Sequence, residues 1–118
     1  MHGLSLSLDL NFLVNVELIQ LALGKYEIQL IFSNESRICI QSEFTFEHDG
    51  VVQDVDPSDS KSTGSLAILL GEKIVEQKIK SNKELNILFE SGKLLRLRDS
   101  SRNFESFVIW NKGDFIAV

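Results

Sequence analysis

Cysteine, proline, methionine, tryptophan and tyrosine each occur once in this chain, and histidine twice. A single cysteine, Cys39, excludes an internal disulfide and a cysteine-based zinc site, and it fits a reducing, cytoplasmic setting. The two imidazoles, His2 and His48, leave few candidates for a base beside a nucleophile, so an enzyme is not expected. A Cys39–His48 dyad exists only on paper, and no ligand spacing supports a metal. Gly64 and Gly71 lack the lysine and spacing of a phosphate-binding loop, and no cofactor is expected. No apolar run approaches the roughly 18 residues of a membrane span. The leading residues are greasy (Leu4, Leu6, Leu8, Leu10), yet they lack a basic n-region and carry Asp9, which argues against a signal peptide.

What is present is an ordinary globular composition, 43% hydrophobic and 25% charged over 118 residues. That is enough for one domain, 1–118, with its own core. The net charge of −5 is unevenly spread. Residues 1–58 hold nine acids against two bases, a balance of −7; residues 59–118 hold eight acids against ten bases, a balance of +2. Overall acidity argues against nucleic acid, whose phosphates require a basic footprint. The asymmetry itself has two readings, a charged binding surface on one half or plain solvation of both outer faces.

An internal repeat organises the chain. Lys25–Ser33 aligns with Asn82–Glu90 at an offset of 57, and Ile38 and Ile40 fall on Leu95 and Leu97 in the same register. Upstream, at an offset of 56, Leu10, Phe12, Asn15 and Leu18 fall on Leu66, Ile68, Gly71 and Ile74. Two copies are too few for a solenoid and describe a duplicated half-domain, 8–55 and 64–118, joined by a polar linker, 56–64, with Pro57.

Each half has the same grammar. A short apolar segment ends at a residue tolerant of left-handed geometry, Asn15 or Gly71. In the second half Ser60, Ser62 and Thr63 offer capping oxygens before a helix over Ser65–Leu70. Strands follow at Glu17–Leu23 and Lys73–Lys80, then alternating strands with Tyr26, Ile28, Leu30 and Phe32, or Leu85, Ile87 and Phe89, on one face. Arg37–Gln41 and Leu94–Arg98 complete each meander. The first half adds a hairpin, an insertion without a counterpart in the second half. In it Phe44 and Phe46 face inward, Asp49-Gly50 makes the turn and Val51–Val55 returns. The second half closes with Asn103–Trp110 and Asp114–Val118. The fold class is α+β, mostly β: two similar antiparallel meander halves with one or two short helices, a partial barrel being one way to close them.

This order of segments resembles a family of small bacterial proteins catalogued as a domain of unknown function. The resemblance rests on Phe44-x-Phe46, the Asp49-Gly50 turn, Asp56-Pro57, Leu69-Leu70-Gly71, Leu85/Phe89/Gly92 and Phe104–Phe107. Its closing motif usually carries Trp where this chain has Phe107. Such families often neighbour secreted-toxin genes, so the resemblance implies an immunity role.

Two surfaces are candidate binding sites. Glu43, Glu47, Asp49, Asp54 and Asp56 make the first hairpin acidic, suited to a basic protein partner, and a stoichiometric inhibitor needs no catalytic group. Asp54 and Asp56, two apart on a strand, would stand side by side and raise one pKa. The alternative site is basic: Lys78 and Lys80 share one strand face and Arg96 and Arg98 another, with Lys83 and Arg102 nearby, for an anion or small ligand. A solvated outer sheet face explains the same pattern. Ile31, Leu88, Val108 and Trp110 fall off the main core face. They pack under the helices, pack half on half, or form a patch for a partner or homodimer with Trp110 as anchor.

Overall fold

The structure is a computed structural model that describes residues 9–81, 84–98, 107–111 and 114–117. Lys83, Arg102 and Phe104 lie outside these residues. A 3-10 turn over Asn11–Leu13 leads to β1 (Leu18–Leu23), β2 (Ile28–Phe32), β3 (Arg37–Ile40), β4 (Phe44–His48) and β5 (Val51–Val55). Helix α1 (Ser60–Thr63) and a 3-10 helix (Gly64–Leu69) precede β6 (Ile74–Ser81), β7 (Glu84–Phe89), β8 (Leu94–Arg98), β9 (Phe107–Asn111) and β10 (Asp114–Ala117).

The strands form two five-stranded antiparallel sheets, ordered β1-β2-β3-β9-β10 and β5-β4-β8-β7-β6. Among the described residues neither sheet closes on itself, so the chain is mostly β without a barrel. Alternate residues of both sheets feed one apolar cluster, with Phe32, Phe46, Phe89 and Phe107 among its largest fully buried side chains. The period of two explains this: Ile28, Leu30 and Phe32 are buried, as are Leu85, Ile87 and Phe89.

The topology corrects the reading of the first hairpin as an addition without counterpart. β4–β5 joins the second meander through β4 and β8, while β9–β10 joins the first meander through β9 and β3. Phe46 pairs with Leu95 and Ile109 pairs with Ile38. The two hairpins therefore occupy equivalent places, and each meander completes its sheet with the other's hairpin. The match was hidden because its offset is 63 (Phe44 to Phe107), a longer connection having shifted the register.

Backbone hydrogen bonds correspond across the halves. Asn15 N–H donates to Ile74 C=O (2.7 Å) and Gly71 N–H to Leu18 C=O (2.8 Å). Leu18 N–H donates to Glu72 C=O (2.9 Å) and Ile74 N–H to Val16 C=O (3.0 Å). These bonds surround an isolated bridge between Glu17 and Lys73, the seam between the two sheets. Asn15 and Gly71 take positive φ, 67° and 88°, which turns the chain from each 3-10 element into its strand.

Local departures from expectation have simple causes. Tyr26 is 65% exposed rather than inward, because a turn closed by Gly24 N–H on Glu27 C=O (2.8 Å) precedes β2. The helix over Ser65–Leu70 is 3-10 and begins at Gly64, with no side-chain cap from Thr63. The cap belongs to α1 and comes from Asp59, whose Oδ1 accepts Lys61 N–H at 3.0 Å. Asp49 and Gly50 make the two-residue turn with φ of 52° and 77°.

Candidate functional site

The register of the second sheet arranges its outward side chains in rows. One row runs Lys78, Asn86, Arg96, Thr45 and Asp54 across β6, β7, β8, β4 and β5. The next runs Glu76, Leu88, Leu94, Glu47 and Val52. The acidic and basic candidates therefore meet on one face: Glu47 and Asp54 toward the β5 edge, Lys78 and Arg96 toward the middle and the β6 edge.

Among the described residues, two hollows mark this face. One, about 290 Å³, is lined by Glu76, Lys78, Lys80, Asn86, Leu88, Leu94 and Arg96. The other, about 150 Å³, is lined by Glu43, Phe44, Thr45, Asp54 and Arg98. Lys78, Lys80 and Arg96 thus share a hollow, whereas Arg98 turns to Glu84 (3.3 Å) and lines the second hollow. Arg96 pairs loosely with Glu47, 3.6 Å apart, both about one-third exposed.

The middle row carries an oddity. Thr45 and Asn86 are each 9% exposed, and Thr45 Oγ1 and Asn86 Oδ1 have no hydrogen-bond partner among the described residues. Leaving such atoms unpaired costs about 1–3 kcal/mol each. Sequence reading missed both because each stands between two inward apolar residues and reads as an ordinary outward position. The only available signal was Thr45 between Phe44 and Phe46, and Asn86 between Leu85 and Ile87.

The first sheet provides the comparison. At equivalent positions its row reads Ala22, Gln29, Cys39, Val108 and Ala117. The fold therefore tolerates uncharged, mostly small side chains there, and the charges of the second sheet are not required by the architecture.

The remaining candidates disperse. Asp49 is at the hairpin tip, 3.5 Å from His48 Nδ1, and His48 stacks on Phe46 with centroids 4.9 Å apart. Asp56 lies beyond β5 and turns to Ser58, accepting its N–H (2.9 Å) and hydroxyl (2.8 Å). These bonds hold its carboxyl below the ordinary range, contrary to the raised pKa expected of an Asp54–Asp56 pair. Trp110 is on the outer face of the first sheet with the Arg37 guanidinium 5.3 Å above its ring, so it does not join the acidic set. Ile31 and Val108 share that face, while Leu88 belongs to the second sheet.

Cys39 is on β3 and His48 on β4, in different sheets. Burial, reinforced by a hydrogen bond to Glu27 Oε2 (2.7 Å) and that carboxylate's charge, pushes the thiol up to about 12. It is a packed side chain held protonated, not an activated nucleophile. Among the described residues no three His, Cys, Asp or Glu side chains gather as a metal-holding group, and no helix is long and apolar enough to cross a membrane. No protein-family model, curated protein or solved structure matches the chain.

Proposed function

We propose that this chain is a non-catalytic protein-binding domain whose working surface is the outer face of the second sheet. The acids of β4 and β5 would draw a basic partner. The observation that supports this is the placement of Glu43 and Asp54 on one hollow at the open edge of the sheet, with Glu47 beside them and Asp49 at the exposed tip. Such an edge steers a cationic surface toward itself and presents a β5 backbone edge that pairs with no other strand among the described residues. The family resemblance extends the proposal to an immunity-type role, neutralising a basic toxin by covering it.

The test is capture by the immobilised chain at low salt and at about 0.5 M salt, where exposed charges are largely screened. A basic protein retained in stoichiometric amount at low salt, weakened at high salt and lost with the Glu43→Lys/Asp49→Lys/Asp54→Lys variant supports the reading. Glu47 is left in place because it holds Arg96. Retention unchanged by the triple reversal sinks it.

A further inference from the structure

We infer that the hollow between β6, β7 and β8 binds the C-terminal residue of a polypeptide with an apolar side chain, its carboxylate meeting Lys78 and Arg96 and its backbone N–H donating to Asn86 Oδ1. The inference stands apart from the proposal for the acidic hairpin, since it uses the other edge of the face.

Three features of the hollow define the ligand. First, Lys78, Lys80 and Arg96 supply cations, and neither lysine has an ion-pair partner among the described residues. Lys78 and Arg96 flank Asn86 in register, so their Cβ atoms stand about 10 Å apart, a span that two long side chains close around one carboxylate. Second, Asn86 Oδ1 is an unpaired acceptor on a side chain more than nine-tenths buried, and only a donor satisfies it. Third, Leu88 and Leu94 are adjacent across the strands and give an apolar wall in an otherwise polar cavity.

An anion, one N–H donor and an apolar group within a single residue's reach describe an N-acylated amino acid with a free carboxylate. A free amino acid fits less well, because its ammonium would approach the same cations. A phosphate fits less well too: it brings no apolar group to Leu88 and Leu94, and Glu76 and Glu47 border the cations and repel its second charge. The equivalent row of the first sheet has Ala22 and Cys39 where Lys78 and Arg96 stand. The cations are thus particular to this hollow and not to the fold.

The probe is N-acetyl-leucine, titrated against the whole chain with backbone amide shifts as the readout. About a dozen heavy atoms support a Kd on the order of 1 mM. Expected are saturable shifts centred on residues 78, 86 and 96, and at least tenfold weaker binding of N-acetyl-leucinamide, free leucine and inorganic phosphate. Lys78→Ala and Asn86→Leu should each weaken the probe at least tenfold. Lys78 is exposed, so its variant keeps the test valid should the buried Asn86→Leu fail to fold. A hexapeptide ending in leucine should bind at least as tightly as the probe, and its C-terminal amide at least tenfold more weakly. Equal binding of acid and amide, a phosphate response as strong as the probe's, or shifts centred elsewhere would overturn the inference. So would binding of N-acetyl-leucine with none of the hexapeptide.

Discussion

Replacing Thr45 by valine should stabilise the protein, although it deletes a polar group from the middle of a sheet. Thr45 is 9% exposed, sits between Phe44 and Phe46, and its Oγ1 has no hydrogen-bond partner among the described residues. Valine has nearly the same shape and β-branching, so it leaves no cavity and keeps the strand preference. The equivalent position of the first sheet, Val108, already holds this side chain. Relief of the unpaired hydroxyl is worth about 1–2 kcal/mol. For 118 residues the unfolding entropy is about 0.25 kcal/mol/K near the midpoint, so Tm should rise by roughly 4–8 °C. Calorimetry and urea unfolding should agree, the urea midpoint rising with the slope unchanged. A loss of about 1 kcal/mol would refute the reasoning, for it would mean the hydroxyl is bonded in the folded protein.

Three other outcomes follow from local contacts. Burial would raise the Glu72 carboxyl, but the Ser91 hydroxyl and the Lys93 ammonium at 3.0 Å overcome it and hold it below the ordinary value of 4.5. Its contribution is therefore present above that value and lost as pH falls through the folded pKa. Urea unfolding should show Glu72→Gln destabilising at pH 7, with the deficit shrinking as pH is lowered through the acid range; a deficit independent of pH would count against the pairing. With its pKa near 12, the Cys39 thiol should react with an alkylating reagent at pH 8 about 10³-fold more slowly than a free thiol, and faster in Glu27→Gln. A rate near that of free cysteine would mean the Glu27 contact does not form. Gly71→Ala should cost about 1–2 kcal/mol through its φ of 88°, since an added Cβ meets nothing. Gly71→Asn should cost less, because Asn15 holds the equivalent place; an equal cost for both in urea unfolding would contradict this.

Much of the fold was legible because one face of every inner strand is buried, and burial enforces the period of two. The alternation around Leu85, Ile87 and Phe89 places β7, and β5 and β8 span the expected Val51–Val55 and Leu94–Arg98. What was not legible depends on pairing between distant strands. That β4 lies beside β8 rather than β3 leaves no mark in either strand, since both choices bury Phe44 and Phe46 equally well. The site suffered most from this. Lys78, Arg96, Glu47 and Asp54 could each be assigned to an outward face, but only the exchanged hairpin shows that these faces are one. Asn86 and Thr45 read as minor interruptions of apolar strands until Arg96 is placed between them.

The exchange also determines where the uneven charge along the chain falls in the fold. Had each half completed its own sheet, the acidic half and the basic half would have made two separate faces of opposite sign. Because β4 and β5 cross to the second meander, the acidic half contributes one edge of the second sheet and the basic half contributes its remaining strands. A sequence gradient thus becomes a lateral gradient across a single face, from Asp54 through Thr45, Arg96 and Asn86 to Lys78. On the proposed protein-binding reading, such a face would attract a complementary dipolar surface in one orientation and oppose its reversal, giving register more than raw affinity. The first sheet, whose equivalent row reads Ala22, Gln29, Cys39, Val108 and Ala117, lacks that gradient. The second sheet's row instead carries charges together with two polar atoms, Thr45 Oγ1 and Asn86 Oδ1, that pair with nothing among the described residues.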